Sequence, residues 1–163
     1  MSKRAFVAGV GGFVGGHLCA ALSAQGYDVS GGDVIPECPV SGITYYPFDI
    51  LDSAEMVRIV KDVRPDEVYH LAGVSYPPDA AASPRRALNI NIMGCVSVLD
   101  AVRQSAPQAV TLVVGSSKQY GEGPFDTDVS EETPCRPTSF YGISKYTAEM
   151  IGGQFGRQMG LDI

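Results

Sequence analysis

"AGVGGFVGGHL", Ala8 to Leu18, decides how the rest of the chain is read. It follows the short apolar run "AFVAG" and supplies glycines at 9, 12 and 15, a G-x-x-G-x-x-G spacing. A turn without Cβ atoms lets backbone N–H groups approach a pyrophosphate, whose charge then rests at the N-terminus of the helix that begins near Phe13. Glycines also occur where a strand and a helix pack tightly, so the spacing alone is weak evidence. Its context is stronger. The motif leaves a strand, opens a helix carrying Val14, Leu18 and Leu22, and is followed 18 residues after Gly15 by Asp33, at the end of a second strand.

The same alternation continues outward. "AFVAG" precedes a helical segment at 13–25, then "YDVSG" and "ITYYPFD" precede 53–62, "EVYHLAG" precedes 84–105, and "VTLVVGS" precedes 139–159. Strand followed by helix, repeated, predicts an α/β chain with a Rossmann-type, doubly wound parallel sheet. "VTLVV" is apolar throughout, as expected of a strand buried on both faces. Ser83 and Pro84 form an N-cap and N1 pair for 84–105. There Leu88, Ile92, Val96, Leu99 and Val102 make one helical stripe, with Ile90, Met93 and Val98 beside it. One sheet face covers one stripe, so the surplus packs either on the neighbouring helix or on a second subunit. The long irregular stretch is 120–139, "YGEGPFDTDVSEETPCRPTS", and loops of that length are usually functional or mobile.

Composition narrows the partners. A chain of 163 residues with 45% hydrophobic content is one domain's worth and can bury a core. Its net charge of −6 opposes binding to nucleic acid, so any phosphate site must rest on local backbone geometry. The four cysteines are scattered without a C-x-x-C, and there are two histidines, so no metal or redox pair is expected. The apolar part of "MSKRAFVAGV" is strand-length and broken by glycine, which predicts no signal peptide or membrane span and a cytoplasmic protein.

Two further groups carry chemistry. Asp33 can accept hydrogen bonds from adenosine ribose hydroxyls and would repel a 2′-phosphate, and no Arg or Lys stands between Asp33 and Ser53 to offset it. The expected cofactor is therefore NAD rather than NADP; the alternative makes Asp33 a turn residue. Asp49 could meet the adenine amino group or cap the next helix. In "YGISK", Tyr141 and Lys145 lie four apart on one helical face. At roughly 4 Å and a dielectric near 20, an ammonium favours the phenolate by about 4 kcal/mol, or about 3 pK units, enough to make a phenol a usable acid or base. A lone Y-x-x-x-K is more often an exposed pair. Here Ser116 and Ser117, in "GSSKQYG" at the end of a strand, could orient a substrate oxygen beside it.

Taken in order, "AGVGGFVGGHL", "HLAG", "LNINIMG", "GSSKQYG", "SEETPCRPTSFYGISK" and "FGRQMGLDI" resemble the extended short-chain dehydrogenase/reductases, the NAD-dependent epimerase/dehydratase family acting on nucleotide sugars. The resemblance implies that Gly9, Gly12, Phe13, Val14 and Gly15 form the pyrophosphate turn, Asp33 meets the ribose, and Asp49 and Ile50 meet the adenine. It places Leu71 and Ala72 against the inner cofactor. Ser116, Tyr141 and Lys145 become the catalytic triad, the last two also touching the cofactor, while Ser75, Ser116 and Ser117 face a nucleotide-sugar substrate. Asn91 braces the sheet, and His70 and His17 are structural. Sugar 4,6-dehydratases carry a glutamate just after the catalytic hydroxyl, where this chain has Ser117 and Lys118, so dehydration is disfavoured. The run looks most like reductases of GDP-4-keto-6-deoxymannose, with a UDP-sugar 4-epimerase or a GDP-mannose 4,6-dehydratase-like enzyme as alternatives. A reading of another class is a dinucleotide-sensing binding protein without turnover. The resemblance also implies a homodimer through helices 84–105 and 139–159. Family members continue well past "GLDI", so residues 1–163 are expected to be an incomplete Rossmann domain, C-terminally truncated, with its substrate domain absent and "VTLVV" left as a bare sheet edge.

Overall fold

β1 (Arg4–Ala8) alternates by the period of a strand: Ala5 and Val7 enter one apolar cluster, and Phe6 and Ala8 enter another on the opposite face. Both faces of the strand are thus buried, and it sits at the centre of the sheet. The computed structural model describes residues 2–123, 125 and 128–163. Five parallel strands run in the order β3-β2-β1-β4-β5, the Rossmann arrangement, with β2 at Asp28–Asp33, β3 at Thr44–Pro47, β4 at Glu67–His70 and β5 at Val110–Val113. Ala8 pairs with Gly32 on one side and His70 on the other, so β1, β2 and β4 end at one level. Strand order reverses between β1 and β4, and ligand crevices in such sheets open there, beyond the carboxyl ends.

α1 (Phe13–Ala24) covers the Val7 face through Cys19 and Leu22. On the Phe6 face lie α2 (Ser53–Val63) and a later helix, α5 (Gly94–Ser105). α2 buries Met56, Ile59, Val60 and Val63, one stripe at helical spacing. Its N-cap is Asp52, whose Oδ1 accepts the Glu55 N–H at 3.0 Å, so the capping role considered for Asp49 belongs to its neighbour. α6 (Phe140–Met159) joins Cys95 and Leu99 through Ala148.

Four features depart from the sequence reading. "VTLVV", expected to be buried on both faces, buries Thr111 but leaves Val110, Leu112 and Val114 exposed. Residues 77–82, preceded by Tyr76 and opened by two prolines, form α3 (Pro77–Ala82), which a Pro-rich stretch of small residues did not announce. Segment 84–105 is not one regular helix. α4 (Pro84–Leu88) passes through a π-helical turn, Asn89–Met93, before α5 begins. The wider turn rotates the buried face, so Asn91, Cys95, Val98, Leu99 and Val102 are enclosed while Leu88, Ile92 and Val96 stay half-exposed. The outer edge of β5 is partly paired: the Thr111 N–H donates to Asp162 O at 2.8 Å, and Val110 bridges Asp162 in parallel. Within 120–139, the expectation of a functional or mobile loop falls partly on Pro124, Asp126 and Thr127, which lie outside the described residues.

His70 ends β4 fully enclosed, and its Nδ1 has no partner among the described residues. Burial, and secondarily the Lys145 charge, pushes its pKa from 6.5 down to about 4. The unfolded chain therefore takes up this proton near pH 6.5, whereas the folded chain resists it until about pH 4. The resulting stability is full above pH 6.5 and is lost as pH falls through that window. Urea denaturation between pH 7 and pH 4 should show up to about 3 kcal/mol of pH-dependent loss that His70→Gln lacks. An identical pH profile in the variant would contradict this assignment.

Glycines 15 and 16 give a second test. A Cβ on Gly15 would stand 2.3 Å from Gly9 O and 2.7 Å from Val10 Cα, both backbone atoms, whereas one on Gly16 meets only Val40 Cγ2 at 3.7 Å. Gly15→Ala should cost about 2 kcal/mol by forcing α1 off the turn, and Gly16→Ala should gain about 0.5–1 kcal/mol from helix propensity. Thermal melting of both variants reads the opposite signs.

Candidate active site

At the end of β1 the chain turns at Gly9 with φ +99°, a conformation L side chains avoid. A Cβ there would stand 2.6 Å from Ala72 N and 2.9 Å from the Leu71 carbonyl carbon, so this turn lies against the backbone leaving β4. Gly9 N–H donates to Gly32 O at 2.8 Å, and Gly12 N–H donates to Gly9 O at 3.2 Å. Gly12 precedes α1, whose first turn carries no acidic side chain, leaving its N-terminal N–H groups suited to an anion. Gly15 serves the packing of α1 on the turn. Phe13 is 85% exposed, with its ring edge-on to His17 at 5.0 Å.

Asp33 is fastened to the same turn. Its Oδ2 accepts the Gly11 N–H at 2.9 Å, and its Oδ1 accepts the Val34 N–H at 2.7 Å. Asp49 Oδ1 accepts the Leu51 N–H at 2.9 Å and shapes the turn that presents Ile50. Gly9, Gly12, Asp33, Asp49, Ile50, Leu71, Ala72 and Ser75 all line one cavity of about 560 Å³. Phe13, Val14, Gly15, Ser116, Ser117, Tyr141 and Lys145 are not among its lining residues. The cavity therefore brings Gly9 and Gly12 of the expected pyrophosphate turn together with the residues expected to meet adenosine and the inner cofactor, but not Phe13, Val14 or Gly15, nor the expected catalytic residues. Its wall also contains Arg86, Asn89 and Ile90, which the sequence did not single out. Their i, i+3, i+4 spacing was visible, but the cavity beside them was not.

The residues expected to carry proton transfer come from two elements. Ser116 caps a single 3₁₀ turn, Ser117–Tyr120, with its Oγ accepting the Lys118 N–H at 3.2 Å. Ser139 caps α6, its Oγ accepting the Gly142 N–H at 3.0 Å, and Tyr141 and Lys145 follow one helical turn apart. The 3₁₀ turn rests on the start of α6 at Gly142, where a Cβ would be 2.6 Å from Lys118 O. Asn91, on the π-helical turn, ties this region to the segment that follows β4. Its Oδ1 accepts the Val74 N–H at 2.7 Å, and its Nδ2 donates to Val74 O at 3.1 Å and to Ser144 Oγ at 2.8 Å. Ser144 in turn donates to Tyr141 O at 2.7 Å, so the backbone of Tyr141 is anchored to the sheet. Burial lowers the Lys145 pKa, with Cys95 acting weakly in the opposite sense, and Cys95 itself is pushed up to about 11 by burial. A half-buried ammonium acts on its neighbours with less solvent screening than an exposed one. Among the described residues there is no cluster of metal-ligating side chains, and no helix is long and apolar enough to cross a membrane.

Comparison with known proteins fits this geometry. The profile of the NAD dependent epimerase/dehydratase family matches residues 5–163. A GDP-6-deoxy-D-mannose reductase of Pseudomonas aeruginosa is 31% identical over 157 residues, 96% of this chain and 48% of that protein. A GDP-mannose 4,6-dehydratase of Vibrio cholerae is also 31% identical, covering 99% of this chain and 48% of its own length. The UDP-glucose 4-epimerase of Thermus thermophilus, solved in complex with NAD, superposes with a TM-score of 0.89 at 28% identity, over 98% of this chain and 52% of the epimerase. The chain spans about half the length of the curated relatives it matches. With its 3-2-1-4-5 sheet, its glycine turn bonded to Asp33 and this match along nearly its whole length, the chain belongs to the NAD-dependent epimerase/dehydratase family.

Proposed function

We propose that these 163 residues form the NAD-binding half of a nucleotide-sugar oxidoreductase or epimerase acting at sugar C4, most similar to reductases of GDP-4-keto-6-deoxymannose. The observation that carries the reading is the bond from Gly11 N–H to Asp33 Oδ2 on the wall of one cavity, which couples a pyrophosphate turn to a ribose acceptor. The residues fit the dinucleotide: Gly9 and Gly12 line the cavity, and the first turn of α1 carries no acidic side chain to oppose its phosphates. Gly9 and Gly12 would hold the pyrophosphate, Asp33 the ribose, Asp49 and Ile50 the adenine, and Leu71 and Ala72 the inner part. NAD, when bound, supplies hydride exchange with the sugar carbon. Tyr141 Oη gives or takes the proton of the sugar oxygen, Ser116 Oγ orients that oxygen, and Lys145, one helical turn along α6, offers its ammonium to the cofactor beside it. Ser75 and Ser117 would face the sugar. A 4-epimerase is the second reading, favoured by the likeness to the Thermus thermophilus enzyme. Lys118, where dehydratases carry a carboxylate, speaks against dehydration.

Asp33 should make the chain select NAD(H) over NADP(H) by roughly tenfold, about 1.4 kcal/mol. Calorimetric titration of both, repeated with Asp33→Asn, checks it; equal affinities in the native chain would remove Asp33 from this role. Turnover is measured in a protein of the relatives' full length containing this chain, offered GDP-, UDP- and dTDP-linked sugars. Tyr141→Phe should lower kcat by roughly 10²–10⁴-fold while leaving NAD affinity unchanged. Intact NAD binding with no turnover of any of these sugars would favour the dinucleotide-sensing reading.

The same proposal includes a homodimer. α5 and α6 leave an apolar groove of about 270 Å³ lined by Val96, Ile151, Phe155 and Met159, with Met150 49% exposed on α6. Pairing of these helices with their copies about a two-fold axis would cover it. Sedimentation at micromolar concentration should show a dimer that Met159→Glu converts to monomer. A native chain that is monomeric throughout that range would count against the interface.

A further inference from the structure

Arg86, Asn89 and Ile90 occupy positions i, i+3 and i+4 and form one stripe on the wall of the 560 Å³ cavity. Ile90 packs half-buried against the cluster that contains Ile50 and Phe48, which fixes the inner end of the stripe beside the Asp49–Leu51 turn. Arg86 stands one helical turn farther out, exposed, and it is the only Lys, Arg or His among the cavity's lining residues. Asp33 and Asp49 line the same cavity, yet among the described residues Arg86 forms no ion pair with either. Backbone N–H groups already engage those carboxylates: Gly11 and Val34 at Asp33, and Leu51 at Asp49. A fork of five donors thus stands on the cavity wall with no acceptor among the described residues.

An anionic, planar ligand supplies what is missing. A guanidinium binds phosphate oxygens through parallel N–H groups, and its flat face stacks on an aromatic ring. We propose that Arg86 is a cofactor-contact residue that recognises the phosphate-bearing adenosine half of the dinucleotide from the cavity wall it shares with Asn89 and Ile90. This rests on reading the cavity as the NAD site. It adds a cation, 53 residues beyond Asp33 in sequence, to a site whose own second-strand region lacks one.

The test is titration of NAD and of ADP-ribose into the native chain, Arg86→Gln and Arg86→Lys, at two salt concentrations. Arg86→Gln should weaken both ligands by roughly tenfold, the loss of one charge-assisted hydrogen bond. It should also flatten the salt dependence of binding. Arg86→Lys should recover part of the affinity, and the ligand-free melting temperature should match the native chain, because the side chain is exposed. Native affinity and native salt dependence in Arg86→Gln would overturn the proposal. So would a weakened Arg86→Gln whose melting temperature has fallen and which Arg86→Lys fails to rescue, since that pattern marks a structural role. A native chain that binds neither ligand would sink the cofactor reading and this inference together. Binding by the native chain that Arg86→Gln reproduces sinks this inference alone.

Discussion

At the carboxyl edge of the sheet the backbone leaving β1 passes so close to the backbone leaving β4 that a methyl group on Gly9 would stand 2.6 Å from Ala72 N. That approach, at the point where strand order reverses, brings the glycine turn, the end of β2 and the Leu71–Ser75 segment around one cavity. The turn has little freedom once there. Gly9 N–H is held by Gly32 O, and Gly11 N–H is held by Asp33, so the segment that would meet phosphate and the carboxylate that would meet ribose form one hydrogen-bonded unit.

The second half of the site is positioned through Asn91. Its amide meets the backbone of Val74 with both ends and reaches Ser144 on α6, whose hydroxyl returns to the Tyr141 carbonyl. Three segments remote in sequence share this network, and Asn91 is buried, so an unpaired amide there would cost on the order of 1–3 kcal/mol per lost partner. The π-helical turn gives Asn91 its place. Asn89 and Ile90, at the start of the same turn, line the cavity wall with Arg86 from the helix before it.

Charge is arranged against the chain's overall balance. With a net charge of −6, long-range attraction would not bring a dinucleotide to this surface. The compensation is local: the open N-terminus of α1, the exposed guanidinium of Arg86 and the half-buried ammonium of Lys145. Lys145 sits in a low-polarity setting with neutral neighbours, since burial disfavours both a protonated His70 and an ionised Cys95.

Strand and helix order, the glycine turn, Asp33 and the Tyr141–Lys145 spacing were all legible in the amino-acid string, because each depends on local periodicity or on a turn that side chains forbid. The parallel sheet followed from that alternation. Which of the apolar faces of 84–105 is turned inward was settled in three dimensions, since inserting a π-helical turn shifts every later residue around the axis without leaving a mark in the hydrophobic pattern. Arg86 was unreadable for a different reason: an exposed arginine on a short helix looks like a solvated charge until the cavity beside it is seen. The capping carboxylate of α2 proved to be Asp52 rather than Asp49, a distinction that rests on hydrogen-bond geometry alone. Asp162 likewise reached the β5 edge because the chain folds back after α6, a long-range contact that local pattern does not encode.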